Sequence, residues 1–255
     1  MRNLIIGVAA MLAVAAPGAA MAQTGYVDAA YTNTSVEAGG FDADGDGYRV
    51  GGAVAFDAHA LGIQLDADVG SVEGDNGGDA DFWSVGGHVY TRNASYLLGG
   101  FANYGNVDAG GGDADYWTVG VEGQYYLNRT TLNGAVSYSE ADDADVEVTG
   151  VDLGARHFIT DNFAIDGGVG FANAEGGGGD ADVIALNLGA EYQFDAYPIS
   201  VFGGYQRAEV DDFDIESDAL TIGVRYNFGG TLFDRDRSGA SLGRGAGAGR
   251  LLGIL

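Results

Sequence analysis

Apolar residues alternate with polar or small residues through most of the chain, in segments of about ten to twelve residues. A period of two is typical of β-strands with one apolar face, because successive side chains of a strand point to opposite sides. The pattern predicts twelve strands, which cover residues 24–34, 47–57, 60–71, 81–91, 95–105, 115–127, 130–139, 145–158, 162–172, 182–194, 197–207 and 217–228.

An internal repeat groups these strands in pairs. The tripeptide Asp-Ala-Asp recurs at spacings of 30 to 37 residues, and each copy ends a Gly/Asp-rich link and begins an alternating segment. Such periods first suggest solenoids or propellers, but each period here divides into two strands, one short link and one long acidic link. The repeat therefore predicts six β-hairpins, with the long links at residues 35–46, 72–80, 106–114, 140–144, 173–181 and 208–216.

The apolar face of the predicted strands carries almost no charge, and aromatic residues stand at both of its ends. Tyr31 and Tyr205 lie at one end of the face, and Phe56 and Tyr226 lie at the other. A basic residue facing the middle of a bilayer costs ~2–4 kcal/mol, and aromatic residues are enriched at the two membrane interfaces. The predicted fold class is therefore all-β, a 12-stranded antiparallel transmembrane up-and-down β-barrel with short periplasmic turns and longer acidic extracellular loops.

The eighth strand is the exception to this pattern. Glu147 takes the outward position there, while Val146 and Val148 take the inward positions. A β-bulge would correct the alternation. Alternatively, the strand enters the membrane only near residue 150.

The two ends of the chain differ from the barrel in composition. Residues 1–22 have a basic start, an apolar run of about 13 residues and the small-residue pattern Ala-Met-Ala, which together predict a secretory signal peptide. The barrel then covers residues 23–228. Residues 229–255 are rich in Gly, Ala and Arg, and we predict a disordered periplasmic tail. The alternatives are that this tail enters the acidic lumen as a partial plug or contacts the cell wall.

Charge and composition exclude several functional classes. The chain has 37 acidic residues against 11 basic residues, all of them arginine, so it lacks the basic patches that nucleic-acid binding requires. It has no cysteine, which excludes disulfides, thiol chemistry and zinc ribbons. The acidic excess favours cations, not nucleic acid, as partners.

The signal peptide, the even number of strands, the acidic links and the last strand together resemble the porin-like family of Gram-negative outer-membrane β-barrels. The last strand, residues 221–228, resembles the assembly signal of that class, for which we identify Gly223, Tyr226 and Phe228. The resemblance implies location in the outer membrane, contact with lipid and with the barrel-assembly machinery, and compatibility with a homo-oligomer. The chain departs from the family by continuing 27 residues beyond the terminal aromatic residue.

Inward positions of the predicted strands are mostly small, with a few charged residues among them, which favours a water-filled pore. Rings of carboxylates in a pore favour cations. We therefore predict a porin-like, weakly cation-preferring channel for passive diffusion of small hydrophilic solutes. The alternative is a non-transporting structural or adhesive surface barrel that acts through its acidic loops. The lumen acids themselves have a second interpretation, in which they pair with the arginines as struts. The predicted pore-lining residues are Arg49, Asp66, Glu122, Asp152, Asp166, Glu191 and Arg225.

Two short motifs suggest other chemistry. Asp42, Asp44 and Asp46 match the opening of a calcium-binding EF-hand loop, but Ala53 occupies the position of the bidentate glutamate. This motif predicts only weak surface binding of Ca²⁺ or Mg²⁺. Residues 239–243 match the Gly-x-Ser-x-Gly pattern of hydrolases without its strand–turn–helix context. We therefore predict no catalytic residue, no enzymatic activity and no cofactor.

Overall fold

The protein is a closed barrel of twelve antiparallel strands followed by a short helix. The structure is a computed structural model that describes residues 24–58, 61–75, 77–141, 145–177, 179–211 and 214–243. Each strand pairs with its neighbours in the chain, and the last strand pairs with the first, so the predicted fold class is confirmed. The elements are β1 (Thr24–Ala38), β2 (Phe41–Ala58), β3 (Leu61–Gly74), β4 (Asp79–Arg92), β5 (Tyr96–Ala109), β6 (Gly112–Leu127), β7 (Thr130–Ala141), β8 (Val146–Thr160), β9 (Phe163–Gly176), β10 (Gly179–Gln193), β11 (Ile199–Val210), β12 (Ile215–Phe228) and α1 (Leu232–Ser238).

Closure depends on the pairing of β1 with β12. The ladder runs without interruption from Gly25 opposite Phe228 to Ala38 opposite Ile215. A closed ladder leaves no strand edge, so every strand has hydrogen-bonding neighbours on both sides. That condition is required of strands in a hydrocarbon environment that cannot hydrogen bond to them.

The two faces of the wall have opposite polarity. Leu98, Val121 and Leu188 are each at least 60% exposed on the outer face. The inner face is buried and largely polar, with Asp28, Gln64, Asp66, Asp68, Ser84, His88, Asn103, Thr118, Glu122, Ser137 and Glu191. This arrangement reverses that of a water-soluble domain, and it is the arrangement expected of a barrel surrounded by lipid.

The acidic links are much shorter than the sequence predicts, because the strands continue through most of them. The links are reduced to residues 39–40, 75–78, 110–111, 142–145, 177–178 and 211–214. Gly39 and Gly40 have φ angles of +55° and +87°, which permit a tight hairpin turn that other residues would strain. The Gly/Asp-rich segments therefore extend the wall as hairpins, where the hydrogen-bond ladder outweighs their low strand propensity.

The eighth strand has a regular ladder where the sequence predicts an irregularity. Glu147 lies opposite Glu140 on β7 and opposite Glu175 on β9, and Val148 packs against a buried apolar cluster inside the barrel. The only register shift in β8 among the described residues lies between Phe158 and Thr160. A bulge near residue 150 is therefore wrong, and Glu147 belongs to the acidic extension of the wall.

The two ends of the chain have different outcomes. The predicted signal peptide, residues 1–22, lies outside the described residues, as do residues 244–255. The prediction of disorder is wrong for residues 229–243. Within them Thr231 begins α1 with a capping box, because its side chain accepts a hydrogen bond from the Asp234 backbone and Asp234 bonds back to the Thr231 backbone.

Across the described ranges, no helix is long and apolar enough to cross a membrane.

Gly223, which we assigned to the assembly signal, also has a packing role. A β-carbon at this position would lie 2.2 Å from the ring of Phe202 and 2.7 Å from the carbonyl oxygen of Ala29. The Phe202 ring covers the glycine from the neighbouring strand, and Arg225 lies over the same ring at 4.9 Å. Glycine at position 223 therefore allows an aromatic ring to support a lumen arginine.

Candidate functional site

The lumen contains a partly enclosed cavity of about 320 Å³. Five of the seven predicted pore residues line it, namely Arg49, Glu122, Asp152, Asp166 and Arg225. The other two, Asp66 and Glu191, are buried directly behind this lining. All seven side chains therefore lie on the inner face of the wall.

One side of the cavity is an arginine–carboxylate network. Arg225 donates to Asp28 at 2.8 Å and to Glu191 at 2.9 Å. Arg156 donates to the same Glu191 at 2.7 Å, and Ser200 donates to its other oxygen at 2.7 Å. Glu191 is only 4% exposed, so its charge depends on these partners rather than on water.

A second pair extends this network toward the extracellular side. Arg49 donates to Asp68 at 2.9 Å and lies 3.9 Å from Asp28. Asp28 and Asp68 were not predicted as site residues, although both have inward parity. Asp28 could have been identified as the partner of Arg225, because the two residues lie directly opposite each other on β1 and β12. That pairing can be assigned only when the register of these strands is known.

His88 forms a separate cluster with two predicted pore acids. Its Nε2 lies 3.0 Å from an Asp66 oxygen, and its Nδ1 lies 2.6 Å from a Glu122 oxygen. A neutral imidazole carries a single N–H, so both contacts are favourable only when the ring is protonated. In its protonated form the ring is a cation between two carboxylates, a role that the sequence analysis did not assign.

The cavity has an excess of negative charge. Five carboxylates line it against four arginines, which leaves an excess of one. The carboxylates are Asp68, Glu122, Asp152, Asp166 and Asp236, and the arginines are Arg49, Arg156, Arg225 and Arg235. Some of the lumen carboxylates are ion-paired with arginines, as the strut interpretation expects.

Residues 229–243, here called the tail segment, turn back into the lumen from the end of β12. Three of its apolar side chains occupy apolar pockets in the barrel wall. Leu232 packs with Phe158 and Ala164, Ala240 packs with Tyr26, Ala53 and Ala55, and Leu242 packs with Tyr90, Leu97 and Tyr126. Burying each leucine side chain stabilises the docked segment by about 1.5–3 kcal/mol.

Polar contacts hold the tail segment between these pockets. Thr131 donates to the Asp236 carboxylate at 2.5 Å, and Arg92 donates to the Gly239 carbonyl at 3.0 Å and to the Ser241 hydroxyl at 2.9 Å. Gln64 makes two hydrogen bonds to the Leu242 backbone, at 3.1 Å and 3.2 Å. The Gly-x-Ser-x-Gly stretch therefore follows a helix and lies against the wall, which is not the hydrolase context.

The three aspartates of the calcium-like motif do not form a metal centre. Asp42, Asp44 and Asp46 follow one another on the same face of β2, where alternate residues are about 6.5 Å apart. Asp46 accepts hydrogen bonds from Tyr31 and Asn33, which lower the pKa of its carboxyl. No group of three His, Asp or Glu side chains in the described part of the chain could hold a metal ion. The metal prediction therefore has no geometric support.

Comparison with solved structures identifies the fold. The translocator domain of the autotransporter NalP from Neisseria meningitidis has a TM-score of 0.58 and 15% identity, over 89% of this chain and 96% of that one. The β domain of the Bordetella autotransporter BrkA has a TM-score of 0.52 and 16% identity, over 80% and 99%. A mutant of the monoaromatic hydrocarbon channel TodX has a TM-score of 0.50 and 10% identity, over 81% and 90%.

These similarities show the fold, which is that of an outer-membrane β-barrel. No family model matches the sequence, and no curated protein matches it. Barrels of this architecture reside in outer membranes, and the large apolar side chains on the outer face of this chain suit that lipid environment.

Proposed function

We propose that the protein is a porin-like channel of the outer membrane, through which small hydrophilic solutes diffuse passively with a weak preference for cations. The observation that carries the proposal is the charge-lined cavity of about 320 Å³ inside a barrel that exposes large apolar side chains on its outer face. A charged lining favours water and hydrophilic solutes over apolar ones, because replacing the water around charged groups by apolar groups costs free energy.

The lining of the cavity supports the proposed solute class. On the β7–β10 side, Asn133 and Asn187 stand beside Gly154 and Gly168, where a β-carbon would lie within about 3.3 Å of those amide groups. The glycines therefore allow the two amide groups to lie against the wall, where they line the cavity with hydrogen-bonding atoms. The cavity volume is at the lower end of the range of about 300–1,000 Å³ for small-molecule pockets, which favours small solutes.

Neutralising lumen carboxylates is expected to reduce the cation preference. Asp152→Asn combined with Asp166→Asn removes two charges from the cavity lining, so the reversal potential in a salt gradient should move toward zero. Planar-bilayer recordings of the full chain measure this shift. The preference should also shrink in 1 M salt, where the Debye length is about 3 Å.

Asp113→Asn is the matched control, because it removes a carboxylate from the exposed hairpin between β5 and β6. It should leave the reversal potential almost unchanged in the same salt gradient. A folded, inserted protein that never conducts, with or without its tail segment docked, would exclude the channel.

The second candidate is a non-transporting surface barrel, and the docked tail segment is the observation that favours it. Links 39–40 and 110–111, which the structure describes in full, contain two residues each, so those hairpins carry no long loop for adhesion. A liposome-swelling assay with small sugars separates the two candidates. Swelling supports the channel, and its absence in the protein with a displaced tail supports the structural barrel.

Assembly is the remaining part of the proposal. Residues 1–22 would direct export, and the barrel-assembly machinery would recognise β12 through Gly223, Tyr226 and Phe228. Tyr226 is 55% exposed on the outer face, which leaves its side chain accessible to such a partner.

A further inference from the structure

We infer that the tail segment is an autoinhibitory gate, which closes the periplasmic mouth of the lumen when docked and opens the channel when released. This inference rests on the proposed channel function and adds how passage is controlled. It is carried by three features of the docked segment: its coverage of the mouth, the pockets that receive it, and the polar network that it leaves intact.

The tail segment crosses the mouth instead of following one side of it. Its contacts reach Thr24 on β1, Gln64 on β3 and Gln124 on β6 on one side of the barrel. On the other side they reach Thr131 on β7 and Gln193 on β10. A solute that moves along the barrel axis therefore meets the segment before it leaves the lumen.

The pockets that receive the tail segment are unusual for a water-filled pore. Leu97, Tyr126 and Phe158 point inward near the periplasmic end, although the lumen above them is polar. Leu97 is 1% exposed and Phe158 is 0% exposed, with Leu242 and Leu232 packed against them. Inward apolar residues of this kind are stabilised when an apolar segment covers them. In a permanently open mouth they would be exposed to water.

The wall retains its ion pairs when the tail segment leaves. Glu191 keeps Arg156, Arg225 and Ser200 as partners, so release creates no unpaired carboxylate in the wall. In the docked state Arg235 lies 3.7 Å from Glu191, and its Nη1 is buried with no hydrogen-bond partner among the described residues. An unsatisfied buried donor weakens docking, so the segment is held less tightly than its other contacts alone would hold it.

Charges placed in the apolar pockets should open the gate. The full-length variant Leu232→Asp/Leu242→Asp is expected to raise the mean single-channel conductance at least tenfold in planar bilayers. Ser238→Asp is the matched control, because it adds an acid to the exposed side of the same helix. It should leave the conductance at the wild-type value. Equal conductance in the wild type and the double variant, with the tail shown to be displaced, would overturn the gate.

A disulfide can close the opened variant again. The side chains of Thr131 and Asp236 are in direct contact. Because the chain has no cysteine, Thr131→Cys/Asp236→Cys introduces a single pair of cysteines that can form a disulfide. Added to the two aspartate substitutions, the oxidised pair should restore the low conductance, and a thiol reductant should raise it again in the same membrane. If reduction leaves the current unchanged, the tail does not control passage.

A labelling experiment separates failure of the gate from failure of the channel. Ala240 is 2% exposed, so Ala240→Cys should react slowly with a bulky maleimide in the wild-type background and rapidly in the double-aspartate background. Rapid labelling without increased conductance would reject the channel itself. High conductance with slow labelling would reject the gate and leave the channel standing.

Discussion

Replacing Glu191 by glutamine is expected to destabilise the barrel by about 3 kcal/mol, because it removes the anion shared by three arginines. Arg156, Arg225 and Arg235 all approach this carboxylate, at distances of 2.7, 2.9 and 3.7 Å. Glutamine has nearly the same shape, so the effect would come from charge and not from a cavity. Arg225 keeps Asp28, whereas Arg156 has no other carboxylate within ion-pair distance in the described part of the chain.

Denaturant unfolding of the protein in lipid vesicles, followed by tryptophan fluorescence, measures this change. Glu175→Gln makes the same chemical change at an exposed position of β9, and it should alter the unfolding free energy by less than about 0.5 kcal/mol. A loss for Glu191→Gln as small as that of the control would show that water in the lumen, not Glu191, stabilises the arginine charges.

The strands within the membrane could be predicted because the solvent changes from lipid to water across the wall. That boundary fixes the direction of every alternate side chain, so Asp166 and Glu191 were assigned to the lumen from parity alone. Outside the membrane both faces of the wall are in water, so apolar and polar residues no longer alternate and the pattern does not show where a strand ends. The predicted end of β1 was therefore too early and the predicted start of β2 too late, although Gly39 and Gly40 marked the turn.

The tail segment shows how composition can mislead. A Gly/Ala/Arg-rich sequence has few residues that can form a core of their own, which is why disorder was predicted. Its partners lie elsewhere in the chain, where Leu97–Leu98, Tyr125–Tyr126 and Phe158–Ile159 are consecutive apolar pairs. Each pair breaks the alternation at the periplasmic end of a strand. These interruptions of the alternation could have predicted that an apolar segment covers the periplasmic end of the lumen.

The pairing within the lumen could not be predicted from parity. Parity gives the face of a residue but not its depth relative to other strands, which depends on the register around the closed barrel. His88 contacts Asp66 on the adjacent β3 and Glu122 on β6, two strands away. Lumen residues that look independent in the sequence are thus coupled, and single substitutions of Asp66 or Glu122 will also change His88.

Placing arginine on the outer face should destabilise the barrel far more than placing it one residue away. Leu188 lies near the middle of β10 and is 65% exposed, so Leu188→Arg would put a charge into the hydrocarbon layer. The expected cost is about 2–4 kcal/mol at the bilayer midplane. Unfolding in vesicles measures this loss, and reduced folding yield in thick bilayers would accompany it.

Asn187→Arg is the matched control, because the adjacent side chain points into the cavity beside Asp166. The same substitution there should cost much less than it does at position 188 and should lower the cation preference of the current. Both substitutions are on β10 at nearly the same depth. A difference between their unfolding free energies therefore reports the difference between lipid on the outer face and water on the inner face. Equal destabilisation at the two positions would mean that lipid does not contact the face of β10 that carries Leu188.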